Sequence, residues 1–67
     1  MSRVFTVAIT NDGDWFVAKC LENSVASQGK TMGEAVDNLR EAVALYYEDE
    51  QIPVFPQTYM TMLEVAL

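Results

Sequence analysis

A chain of 67 residues holds one small domain, spanning 1–67, and a domain of this size is marginal on its own core. Its formal net charge is −6, with 4 basic side chains against 10 acidic ones, so Arg3, Lys19, Lys30 and Arg40 are too few and too scattered to neutralise a phosphate backbone. Direct nucleic-acid binding is not expected. The chain has no His and one cysteine, Cys20, which excludes an intrachain disulfide, a Ser/His or Cys/His pair and a histidine metal site.

In chain order, Arg3 to Thr10 is the first strand candidate, because Val4, Phe5, Thr6, Val7 and Ile9 are β-formers. Asn11-Asp12-Gly13-Asp14 is a turn signal, since Asp-Gly supplies the positive φ angles of a tight hairpin. Trp15 to Cys20 returns as the second strand, with Cys20 in an apolar run where a free thiol acts as a small buried hydrophobe. Leu21-Glu22-Asn23-Ser24 is a short polar break, and Val25 to Gln28 is a brief third strand ended by Gly29.

Thr31 then opens a capping box: its hydroxyl can accept from the first free amides, while Glu34 can reach back to the Thr31 amide. The helix is expected from about Met32 to about Glu50. Met32, Ala35, Val36, Leu39, Ala42, Val43, Tyr46 and Tyr47 follow the three-four spacing of one apolar stripe. Gly33 in its first turn is expected to allow close packing rather than anion binding, since the three glycines form no phosphate loop. Pro53 and Pro56 forbid helix continuation, so 52–56 is a stiff connector whose Val54 and Phe55 should pack over an edge of the core. Thr58 to Leu67 is rich in β-formers and is expected as the last strand.

The order β-β-β-α-β predicts a two-layer α+β domain, a mainly antiparallel sheet with one long helix on one face. Phe5, Val7, Ile9, Phe16, Ala18 and Cys20 should share one face; Val4, Thr6, Ala8, Trp15, Val17 and Lys19 should share the other. In the last strand Tyr59, Leu63 and Val65 oppose Met60, Met62 and Ala66. Both faces carry apolar residues, unlike a sheet with one solvated face. Burial of the second face in a homo-oligomer is expected, with cover by the connector as the alternative. Trp15, Val17, Val4, Met60 and Met62 are the interface candidates on this reasoning, with Trp15 the main anchor.

The acidic run Glu48-Asp49-Glu50 opposes the helix dipole, and consecutive side chains do not converge on one cation. It is either a solvated helix end or a docking site for a basic partner, which adds Glu48 and Asp49 to the interface candidates. The negative charge itself serves either solubility or attraction of a basic protein. No catalytic, cofactor or metal residues are expected, and the chain is read as non-enzymatic. Neither a signal peptide nor a bilayer-length apolar run is present in the sequence, so a cytoplasmic location without membrane contact is expected.

The residues Trp15-Phe16-Val17-Ala18, Ser27-Gln28-Gly29-Lys30-Thr31, Glu34-Ala35, Asn38-Leu39, Glu41-Ala42 and Tyr46 resemble, in order and spacing, the HicB-like antitoxin domain over about half the chain. The resemblance implies a partial ribonuclease-H-like sheet without nuclease activity, assembly into homodimers or homotetramers, and binding to a small basic HicA-type toxin that cleaves mRNA. Family members usually carry a Leu-Pro-Gly loop between the second and third strands, where this chain has Leu21-Glu22-Asn23-Ser24-Val25. The sequence stops at Leu67 without a DNA-binding segment, so operator binding is not expected. The alternative is an orphan domain of the same fold, serving as a small scaffold or ligand-binding module.

Overall fold

The sheet begins with a hairpin whose geometry is set at Gly13. In the computed structural model, which describes residues 3–48 and 51–67, strand β1 (Val7–Asp12) pairs antiparallel with β2 (Trp15–Cys20). The register runs from Val7↔Cys20 to Asp12↔Trp15, leaving only Gly13 and Asp14 in the turn. Gly13 has φ +65°, the positive value that the first position of a type II′ hairpin requires. Asn11 and Asp12 therefore belong to the strand rather than to the turn.

The first strand starts at Val7, not at Arg3. Its partner β2 ends at Cys20, and beyond it the chain turns away through Leu21 to Ser24, with Ser24 at φ +64°. The Leu21 amide still donates to the Thr6 carbonyl (2.9 Å), but the Thr6 amide donates to the Glu22 carboxylate (2.8 Å) instead of a strand carbonyl. Asn23 holds the bend by accepting from the Val25 amide through Oδ1 (2.9 Å). Strand β3 (Ala26–Gly29) then pairs antiparallel with β2, giving the order β1-β2-β3.

Helix α1 (Met32–Tyr46) is capped by Thr31, whose Oγ1 accepts from the Glu34 amide at 3.0 Å. Gly29 explains how the helix can begin so close to β3. A Cβ on Gly29 would lie 2.6 Å from the Ala35 nitrogen and 2.9 Å from the Glu34 carbonyl carbon, so only glycine fits between strand and helix. A Cβ on Gly33 would touch nothing within 4 Å, so the close packing expected of Gly33 belongs to Gly29. Asn38 fastens the same junction by donating to the Gln28 carbonyl (2.8 Å).

The helix is shorter than its periodicity predicts, ending at Tyr46 with Tyr47 as its cap. No basic residue lies in its last turn to complement the dipole, and the acidic side chains that follow oppose it. Tyr47 is nonetheless anchored: its ring stacks on Phe5 (centroids 5.8 Å apart) and its hydroxyl accepts from Asn23 (3.2 Å).

The α+β layering is as expected, with α1 lying over β3 and β2. The core is thin. Ala18, Cys20, Ala35 and Leu39 are its buried side chains, with Phe5, Val7, Ile9, Phe16, Val25, Val36 and Val43 half-buried around them. These residues confirm the face assignment read from alternation in β1 and β2.

The expected last strand is not formed. Residues 51–67 belong to no helix or strand, and from Pro56 onward every residue is exposed. A strand exists only when it is paired, and 58–67 pairs with neither edge of the sheet in its own chain, so β propensity alone does not make it one. The connector also departs from expectation in part: Phe55 packs edge-on against Phe5 (6.3 Å), whereas Val54 is exposed. Arg3 holds the connector by donating to the carbonyls of Ile52 (3.5 Å) and Pro53 (2.9 Å). The radius of gyration is 13.6 Å, against about 11 Å for a compact chain of this length, because the C-terminal segment stands off the domain.

Candidate protein interface

Three surfaces of this chain expose apolar groups, and they arise from different elements. The first is the outer face of β2, where Trp15 and Val17 alternate with the buried Ala18 and Cys20. Trp15 is 40% exposed, and the Lys30 ammonium lies 5.7 Å from its ring centroid, a cation–π arrangement that ties the end of β3 to the start of β2. The flanking residues on this face, Thr10, Lys19, Ala26 and Gln28, are exposed and small or polar. The outer face is therefore a narrow apolar strip.

The second surface is a groove of about 650 Å³ between the β1 side of the sheet and α1. Val7 of β1 and Phe5 just before it line one side, Val36, Leu39 and Val43 of α1 and the capping Tyr47 the other, with Ile52 of the connector between. It exists because α1 lies over β3 and β2, so the helix-side face of β1 has no helix above it. Arg3 and Arg40, two of the four cations in the chain, also border it. Sequence reasoning did not find this groove. The apolar stripe was legible, but not that α1 would lie towards β3 and leave β1 uncovered.

The third surface is the segment 58–67, in which Tyr59, Met60, Met62, Leu63, Val65 and Leu67 are all exposed. Met62 is 97% and Leu63 85% exposed, values far above those of ordinary surface hydrophobes.

The sequence-predicted interface residues do not converge on one patch. Trp15 and Val17 share the outer face of β2. Val4, 96% exposed, precedes β1 at the end of the sheet opposite the Trp15 turn. Met60 and Met62 lie on the C-terminal segment, and Glu48 is exposed just past the helix. Asp49 lies outside the described residues, as does Glu50.

The electrostatics are mostly those of a solvated acidic surface. Glu34, Asp37 and Glu41 are exposed along α1 and Glu48 just past it, and Asp37 pairs with Arg40 at 2.9 Å. Glu22 is the exception. The hydrogen bond from the Thr6 backbone amide holds its carboxyl below the usual range, because that bond favours the ionised form. The buried Cys20 thiol lies 3.7 Å from the same carboxylate oxygen. Glu22 is thus a structural clasp between the end of β2 and the residues leading into β1.

Among the described residues, no three His, Cys, Asp or Glu side chains come together as a metal cluster, and no helix is long and apolar enough to cross a membrane. No protein-family model matches this chain, and no curated protein or solved structure shows significant similarity to it.

Proposed function

We propose that the chain is a non-enzymatic, HicB-like antitoxin-type domain that self-associates and binds and neutralises a small, basic, mRNA-cleaving toxin of the HicA type. The observation that carries the interaction reading is the mismatch between core and surface. Among the described residues four side chains are buried, while six large apolar side chains of 58–67 alone face solvent. A domain with so little interior gains stability by covering that surface with protein.

Two features support a basic partner. The net charge is −6, and the exposed carboxylates of α1 give an acidic face that accelerates encounter with a cationic protein. The motif shared with the HicB-like family, Ser27 to Thr31 followed by Glu34-Ala35, forms the Gly29 junction and the helix cap, which are fold-defining rather than reactive groups.

The test is co-purification with a small basic ribonuclease encoded beside this chain, followed by an mRNA-cleavage assay. Inhibition at stoichiometric ratio, with an association rate that falls as salt rises, is the expected result. A neighbour-encoded ribonuclease that neither binds nor loses activity would sink the antitoxin reading. The groove at β1 favours one competing reading, a ligand-binding module of the same fold. Saturable binding of an apolar small molecule, without any effect on a toxin, would support that alternative.

A further inference from the structure

The open edge of β1, the groove beneath it and the unpaired C-terminal segment have complementary requirements. The Thr6 carbonyl points towards β2, where it accepts from Leu21. In an antiparallel ladder this orientation alternates, so Thr6, Ala8, Thr10 and Asp12 direct their backbone groups into β2. The amides and carbonyls of Val7, Ile9 and Asn11 therefore face outward along a free edge. The side chains of Val7 and Ile9 point towards the helix layer, half-buried beside the groove. A strand added here would pair this edge and place its inward side chains along the groove.

The opposite edge is less available. Asn38 already occupies the Gln28 carbonyl of β3, and the helix start crowds Gly29.

Segment 58–67 has the pattern such a strand needs. Its odd positions Tyr59, Thr61, Leu63, Val65 and Leu67 carry no charge, while Glu64 is on the even side with Met60 and Met62. Fully extended, ten residues span about 33 Å, more than the length of β1. The connector, however, is docked. Arg3 clasps the Ile52 and Pro53 carbonyls, Phe55 packs on Phe5, and Pro53 and Pro56 stiffen the path. With the connector so held, Thr58 lies beside the Glu22 carboxylate, the residues beyond it are exposed, and the segment does not enter its own groove, which Ile52 of the connector helps to line.

We infer that residues 58–67 of one copy add to the β1 edge of a second copy and fill its groove between β1 and α1, with the second copy returning the same segment. Reciprocal exchange covers both open edges and the odd-numbered apolar side chains of both segments, and it closes the assembly by a two-fold axis. The odd-numbered side chains enter the groove. Glu64, the one charged side chain of the segment, lies on the opposite side of the added strand with Met60 and Met62 and faces away from the groove. This inference rests on the self-association proposed above and names the segment that carries it.

The experiment is isotope-filtered nuclear Overhauser spectroscopy on a mixture of ¹³C-labelled and unlabelled full-length chains, with the mass measured by light scattering on the same sample. The expected result is an oligomer with intermolecular contacts from Leu63 and Val65 methyls to Val36 and Val43 methyls. Contacts that are only intramolecular mean that the segment folds back on its own groove, and they overturn the exchange. An oligomer without contacts from the segment also overturns it but leaves self-association standing. A monomer overturns both. In parallel, Leu63→Asp with Val65→Asp alters residues exposed within one chain, so its circular dichroism should be retained while it dissociates. Retained association of this folded variant would contradict the exchange.

Discussion

Replacing Gly29 with alanine tests the junction on which the whole domain is hung. The added Cβ would stand 2.6 Å from the Ala35 nitrogen and 2.9 Å from both the Glu34 carbonyl carbon and its Cβ. Ordinary contact between such atoms is about 3.5–4.0 Å, so the shortfall is about 1 Å. The atoms in the way are mostly backbone of the first helical turn, which cannot rotate aside. Strand β3 and the helix start must separate, loosening the Asn38 bond to Gln28 and the contact of Ala35 with the core. Overpacking of this kind costs about 1–3 kcal/mol, and alanine recovers about 0.4–1 kcal/mol by restricting the unfolded chain. A net loss of about 1 kcal/mol is expected, against a total stability of roughly 3–10 kcal/mol for a chain of 67 residues. The assay is urea unfolding followed by circular dichroism, at one protein concentration because association contributes by mass action. With a slope of about 1 kcal/mol per molar, the midpoint should fall by about 1 M. An unchanged or raised midpoint would refute the close-approach account of Gly29.

Gly33→Ala should act in the opposite sense. Its Cβ meets nothing and the position is helical, so a gain of about 0.5–1 kcal/mol is expected in the same urea assay, and a loss would show a constraint that the geometry lacks. Thr31→Ala removes the acceptor for the Glu34 amide and should cost about 1 kcal/mol of stability; no change would mean that the cap contributes nothing. Glu22 supplies a pH dependence. Its folded-state pKa is lowered by the Thr6 amide, so its stabilisation is fully present above the unfolded carboxyl value and is lost as pH falls through the lower folded one. Glu22→Gln should therefore flatten the fall in unfolding midpoint below about pH 4.5, near the ordinary carboxyl range, and an identical pH profile for the two proteins would discount the clasp.

The elements legible in the sequence are those fixed by local rules. Asp12-Gly13 marked the hairpin, Thr31 with the three-four stripe marked the helix, and alternation in β1 and β2 assigned the faces correctly. The misreadings share a physical origin in contacts between elements. Arg3 to Thr6 have β-forming residues but lose their partner when β2 bends away after Cys20. The glycine that permits close packing proved to be Gly29 and not Gly33, a difference set by where β3 meets α1. The segment 58–67 reads as a strand by composition and pairs with nothing in its own chain, because pairing is a property of the edge as much as of the strand. The interface candidates show the same limit. Trp15 and Val17 were found by alternation, whereas the groove at β1 depends on the lateral placement of α1, which periodicity does not encode.

The mass of the protein in solution, with and without its C-terminal apolar side chains, tests the central claim most directly. By light scattering at micromolar concentration, the full chain should weigh an even multiple of the 7.5 kDa single chain, and Leu63→Asp with Val65→Asp should reduce it to one folded copy. A full-length protein that is already a folded monomer under these conditions would contradict the account.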